Sequence, residues 1–164
     1  RLDRDTFGIV LLAKNAHLHA LLQDAAVKKT YHALTFGGPD TDTGVIDAPI
    51  ARLPLPSLLR QVSPEGKPSV TEFEVLHRDG QICKLALCPV TGRTHQLRLH
   101  LSAIGHPLLG DWLYGTEDRT LIPRPALHSH RLELTHPVTR RRLTVTAPLP
   151  EDMARLLPED MNKS

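Results

Sequence analysis

Polar and apolar residues alternate over several stretches of the chain, and that alternation predicts most of its strands. In residues 69–77, Thr71, Phe73 and Val75 fall on one face and Glu72 and Glu74 on the other. A period of two is the mark of a strand covered on one side. Asp79-Gly80 is a hairpin turn signal, and residues 81–88 form the return strand with Cys83, Leu85 and Leu87 inward. Residues 28–36 are aromatic and β-branched enough for a strand, stopped by Gly37-Gly38-Pro39. Residues 44–50, 127–134 and 142–146 predict three more. The apolar run at residues 8–13 is too short for a helix and predicts a buried strand.

Helical spacing occurs in fewer places. Asn15 can cap a helix to about Ala26, with Leu18, Leu21, Leu22 and Ala25 as its stripe. Thr94 can cap a second helix to about Ala103, with Leu97, Leu101 and Ile104 inward and Gly105 and Pro107 ending it. A short helix follows Pro150. Pro54, Pro56, Pro64 and Pro68 make residues 52–68 a long loop. Many strands, few helices and a hairpin predict an α+β fold with a mostly antiparallel or mixed sheet.

The 164 residues suit a single domain, residues 1–164, and 40% hydrophobic residues suffice for a core. No apolar run approaches the roughly 18 residues of a membrane-spanning helix, so no membrane partner is expected. Cys83 and Cys88 lie on opposite faces of one strand and are expected to be reduced, which suits the cytoplasm. Residues 1–80 hold nine Lys and Arg against ten Asp and Glu, and residues 81–164 hold eleven against eight. The second half is therefore the more cationic one. The sequence starts without Met, in a charged turn, so part of the native chain is expected to precede Arg1.

Three segments carry candidate chemistry. Arg1-Leu2-Asp3-Arg4-Asp5-Thr6-Phe7-Gly8 places two carboxylates and two guanidiniums before an apolar run. A carboxylate there can be a nucleophile, a general base or an Arg partner, although such turns are ordinarily only solvated. In residues 91–100, His95, Arg98 and Ser102 form a polar helical stripe, and Arg93 precedes a helix start whose free N–H groups favour anions. Two guanidiniums and an imidazole there suit phosphate or carboxylate, or else form an ordinary polar face. In residues 28–33, Tyr31 is either core packing or a stacking platform for an exposed base, with Lys28 and Lys29 meeting phosphate.

His128 and His130 share a strand face, but no H-E-x-x-H occurs and no acidic residue or Cys motif joins them, so no metal is expected. The Gly37-Gly38 and Gly92 surroundings match neither a Walker loop nor a dinucleotide fingerprint, so no nucleotide cofactor is expected either.

In this order the three segments resemble the RluA-like pseudouridine synthases. That family's H-R-L-D-x-x-T-S-G motif appears from Arg1 to Gly8, without its His and with Phe7 in place of Ser. Its K-x-Y-x-A is Lys29-Thr30-Tyr31-His32-Ala33, and its G-R-T-H-Q-[IL]-R-x-H is whole at residues 92–100. Gly105-His106-Pro107-Leu108-Leu109-Gly110-Asp111 and the later Leu127-His128 and His136-Pro137 extend the likeness over about residues 1–150.

The resemblance implies a pseudouridine synthase catalytic fold, N-terminally incomplete, and an enzyme that isomerises uridine in rRNA or tRNA without metal or organic cofactor. Family members carry a strand-rich segment before the first motif, and some carry an S4 domain further upstream. Asp3 would be the catalytic aspartate and Arg98 the guanidinium paired with it. Tyr31 would pack on the target base and help remove the C5 proton. Arg1, Lys28, Lys29, Arg93 and His95 would meet the RNA, with Arg1 filling the space of the flipped uridine. A monomer is expected. The alternatives are a non-catalytic RNA-binding module, which should have lost one of Asp3, Tyr31 and Arg98, and a histidine-dependent metallohydrolase, which a chelator would inhibit.

Overall fold

A computed structural model describes residues 2–23, 25–54, 57, 59–115 and 120–161. The elements run β1 (Phe7–Gly8), α1 (Ala16–Gln23), β2 (Val27–Phe36), β3 (Thr43–Asp47), β4 (Ile50–Arg52), β5 (Arg60–Val62), β6 (Val70–Arg78), β7 (Ile82–Pro89), α2 (Gln96–Ala103), β8 (Leu127–Thr135), β9 (Arg142–Thr146) and α3 (Glu151–Ala154), with a 3-10 turn at Glu159–Met161. One sheet has the order β1-β8-β2-β7-β6-β3, with β9 also on β8, and β4 and β5 form a separate ribbon. All pairings are antiparallel except β1 with β8. The fold is α+β with few helices, as the residue pattern predicts.

The two faces of the sheet are built differently. Tyr31, Ala33, Leu85 and Leu87 face α2 and pack with its Leu97 and Leu101. Leu34 faces the other way and packs with Leu109, Ile122, Met153 and Leu157 beneath α3. Because β2 is central, Tyr31 to Thr35 are all buried and the alternation of its burial disappears. Next to Leu34 on that second face lie His32, stacked on His130 at 3.9 Å, and His128. Lys84 is fully buried there and donates from Nζ to the Met161 carbonyl at 3.0 Å.

Strand β8 contains a bulge. Thr30 pairs with Arg131 while Tyr31 pairs with Ser129, so His130 is an extra residue on β8. Because the bulge takes His130 out of the pairing, Leu132 stays opposite Lys29 and Leu134 opposite Val27, in phase with Ser129 and Leu127.

Several expectations are corrected. The strand expected at residues 8–13 ends at Gly8, and Val10, Leu11 and Leu12 are exposed. The reason is the edge it would use: past Ser129 that side of β8 is taken by β9, from Arg131 to Thr135. Helix α1 does begin under Asn15, whose Oδ1 accepts the Leu18 N–H at 2.8 Å, but it stops at Gln23 and buries no residue. The single strand expected at residues 44–50 is broken into β3 and β4 around Pro49, which has no N–H to pair. The loop expected at residues 52–68 contains β5. The cap of α2 is His95, not Thr94, and Ile104 is exposed rather than inward.

Candidate functional site

The site begins with the turn before β1. The Thr6 N–H donates to the Asp3 carbonyl at 3.1 Å, and Asp5 takes a positive φ of 68°, which Asp tolerates better than most residues. The turn sorts its charges. Arg4 and Asp5 form an exposed pair at 3.8 Å, while Leu2 packs on the core and Asp3 turns into a cleft. Gly8 fixes the turn to the sheet: its φ is 117°, and a Cβ there would strike the Ser129 backbone.

The cleft has a volume of about 410 Å³. Asp3 and Thr6 line it from the turn, Lys29 and Tyr31 from β2, and Arg93 and Gln96 from the start of α2. Tyr31 is buried and lies on β2 two residues from Lys29, on the same face. Burial pushes its phenol pKa up, a contact with the Ser129 side chain works against that, and the Asp3 charge adds to the rise. Tyr31 is therefore a neutral phenol near pH 7. Lys28 points to the opposite face, across from Glu133 of β8, so only one of the two lysines reaches the cleft.

The wall made by residues 91–100 is held by Gln96. Its Oε1 accepts from the Thr91 hydroxyl at 2.8 Å and the Arg93 N–H at 2.9 Å, and its Nε2 donates to Val70 O at 2.9 Å and Thr71 Oγ1 at 3.0 Å. All four hydrogen-bonding positions of the amide are used, so this buried side chain locks α2 to β6. His100 does the same one turn on, with Nδ1 2.9 Å from Thr71 Oγ1 and Nε2 3.0 Å from Ala48 O. Arg93 stays exposed, with Nε donating to Pro68 O at 3.1 Å.

Arg98 is where the expected geometry fails. Its guanidinium is buried and forks onto Asp111, Nε to Oδ2 at 2.8 Å and Nη2 to Oδ1 at 2.6 Å. Asp111 is fully buried. Among the described residues no ion pair joins Arg98 to Asp3; the Asp3 charge reaches Arg98, His95 and Tyr31 only as a field. The physical reason is satisfaction: a fully buried carboxylate needs a bidentate partner more than a half-exposed one does.

His95 and Arg98 lie beside Asp3 without lining the cleft. The His95 Nδ1 is 2.8 Å from the Tyr114 hydroxyl, and the Arg98 guanidinium lies 5.3 Å from the centre of the Tyr114 ring. Burial holds the His95 pKa below the ordinary histidine range against the pull of Asp3. The sequence reading quoted Asp111 only as part of a motif and missed Tyr114 altogether. The polar stripe of His95, Arg98 and Ser102 was the signal for it, because such a stripe needs a polar partner. Arg1 lies outside the described residues. On the other sheet face, His128 Nε2 and His130 Nδ1 both contact Ala147 O, at 3.2 Å and 2.8 Å. Among the described residues no three His, Cys, Asp or Glu side chains gather as a metal site.

The profile of the RNA pseudouridylate synthase family matches residues 1–103. The chain belongs to that family. It is 45% identical over 161 residues to the uncharacterized RNA pseudouridine synthase YjbO of Bacillus subtilis, covering 96% of this chain and 56% of that one. It is 44% identical over 169 residues to ribosomal large subunit pseudouridine synthase D of Nitrosomonas europaea, covering 96% and 49%. The human RNA pseudouridylate synthase domain containing 1 superposes with a TM-score of 0.69 at 28% identity, covering 82% of this chain and 61% of that one. The chain thus spans about half the length of those two bacterial members of its family.

Proposed function

We propose that the protein isomerises uridine to pseudouridine in RNA, with Asp3 as the catalytic carboxylate. The observation that carries this reading is Asp3 opening on one cleft with the neutral phenol of Tyr31 and the cations Lys29 and Arg93. The reaction breaks the C1′–N1 bond of uridine, turns the base and joins C5 to C1′. A carboxylate next to the ribose serves either as nucleophile or as base at C2′. Tyr31 supplies a flat apolar face for the flipped base. Burial and the Asp3 charge both oppose its ionisation, so stacking suits it better than proton abstraction from C5. Lys29 and Arg93 meet the flanking phosphates, and Arg98 keeps positive potential near Asp3 although its own partner is Asp111. His95 stays in this reading as an RNA contact at the margin of the cleft and Arg1 as an RNA contact outside the described residues, whereas Lys28, on the far face, is left out of the RNA path.

Two relatives are named as synthases of the ribosomal large subunit, one D and one C, which favours large-subunit rRNA over tRNA as the substrate. The cytoplasm is the proposed place of action. The test is to incubate the purified protein with large-subunit rRNA and with tRNA and map pseudouridine in each. Formation by the wild-type protein, and none by Asp3→Asn, is expected; modification by both sinks the reading.

A further inference from the structure

We propose that Tyr114 is a positioning residue that fixes the His95 ring and the Arg98 guanidinium beside Asp3 and ties both to β5. The proposal rests on the function proposed above. Tyr114 is anchored before it acts. Asp111 Oδ1, already bonded to Arg98, also accepts the N–H groups of Leu113 at 3.0 Å and Tyr114 at 3.2 Å. The Ser102 hydroxyl donates to the Tyr114 carbonyl at 2.6 Å.

The tyrosine hydroxyl then joins two elements. It accepts the backbone N–H of Arg60, the first residue of β5, at 3.1 Å, and lies 2.8 Å from His95 Nδ1. With Arg60 donating to the oxygen, the single phenolic proton is left for Nδ1. His95 is thereby set as the tautomer that carries its proton on Nε2. The ring needs such a guide, because His95 has a left-handed backbone, φ 58° and ψ 16°, and no cap bond of its own. The charged groups around it are Asp3 from the first turn, Arg98 on α2, Arg60 on β5 and Asp111 on the loop after α2.

The test combines NMR with kinetics. The ring nitrogen shifts of wild-type His95 should show Nδ1 unprotonated; a proton on Nδ1 overturns the proposal, and this measurement needs no variant. In Tyr114→Phe the ring remains under Arg98 but the donor to Nδ1 is gone. The His95 titration midpoint should then rise by about half a pH unit or more, since a bond favouring the neutral ring is lost. On RNA, kcat should fall about tenfold with KM within about twofold, the mark of lost orientation rather than lost binding. An unmoved midpoint, or a loss confined to KM, overturns the proposal. In a His95→Gln background the same substitution should cost far less; an equal cost means that Tyr114 does not act through His95. The titration uses no RNA, so a wild-type protein that makes no pseudouridine counts against the proposed function and leaves the His95 result to decide this one.

Discussion

Asp3 and Asp5 stand two positions apart in one turn, yet they are unequal. Asp5 faces solvent with Arg4, and Asp3 faces the cleft. Asp5→Asn should therefore keep wild-type pseudouridine formation, whereas Asp3→Asn should abolish it while RNA binding survives. An active Asp3→Asn enzyme, or a dead Asp5→Asn one, would show that the wrong carboxylate has been chosen. Stability separates a second pair of carboxylates. Among the described residues the Asp3 side chain has no ion pair, so Asp3→Asn should change the unfolding free energy by less than about 1 kcal/mol. Asp111→Asn leaves the buried Arg98 charge without its partner and should cost about 3–5 kcal/mol. Urea titrations of the two variants check the contrast, and a larger loss for Asp3→Asn would reverse the assignment of Arg98's partner. Asp3, Tyr31 and Arg98 could be singled out because each sits in a short motif, whereas Tyr114 could not. The pairing within the site was not legible, because Asp111 competes for Arg98 from a segment that sequence spacing does not connect to it.

At the scale of elements, the strands that alternate were the easiest to read. In β6 and β7, Thr71 and Phe73 with Cys83, Leu85 and Leu87 are buried as expected, while Val75, expected on the same face, is only partly buried. The apolar run after Gly8 misled for the opposite reason: hydrophobicity says that a segment can be buried, but β9 decides whether an edge remains to receive it. The second face of β2 and β8 makes a prediction of its own. Burial, with His130, Lys84 and His128 nearby, lowers the His32 pKa from 6.5 to about 3. An unfolded histidine takes up its proton near 6.5, so between about pH 6.5 and pH 3 the unfolded chain binds more protons than the folded one. The stabilising contribution is thus complete above about pH 6.5 and is lost as pH falls toward 3. From pH 7 to pH 5 it should drop by about 2 kcal/mol, seen as a lower urea midpoint. His128 and His100, both shifted down by burial, act in the same direction. In His32→Leu the dependence should be shallower; an unchanged slope would mean that other groups set it.

For the whole molecule, the net charge of +2 understates what an RNA would meet, because the cations are placed unevenly. Lys29 and Arg93 are at the cleft, Lys28 is behind the sheet, and Arg140, Arg141 and Arg142 are exposed before and at the start of β9. RNA affinity should fall steeply with salt, since each phosphate contact releases counterions. Lys29→Gln and Arg93→Gln should each reduce the slope of log affinity against log salt by about 1, while Lys28→Gln should leave it nearly unchanged. Equal effects of Lys28 and Lys29 would place the RNA path on both faces. The fold class could be read from the chain because it depends on counting strands and helices. The sheet order could not, because a parallel β1 pairing with β8 across some 120 residues leaves no local signature.

The extra residue in β8 bears on which length changes the chain can tolerate. Deleting one residue from a regular strand turns everything beyond it inside out. At His130 the strand already contains one such shift, which brings Leu127 and Ser129 into step with Leu132 and Leu134. Loss of His130 alone would instead remove the bulge and leave a regular strand, with Leu127, Ser129, Leu132 and Leu134 still on one face. Loss of a residue in the exposed turn between β8 and β9 would also leave that face unchanged. In a library of single-residue deletions, position 130 should therefore be better tolerated than the paired positions of β8, its cost being the lost stack on His32 rather than a reversed register.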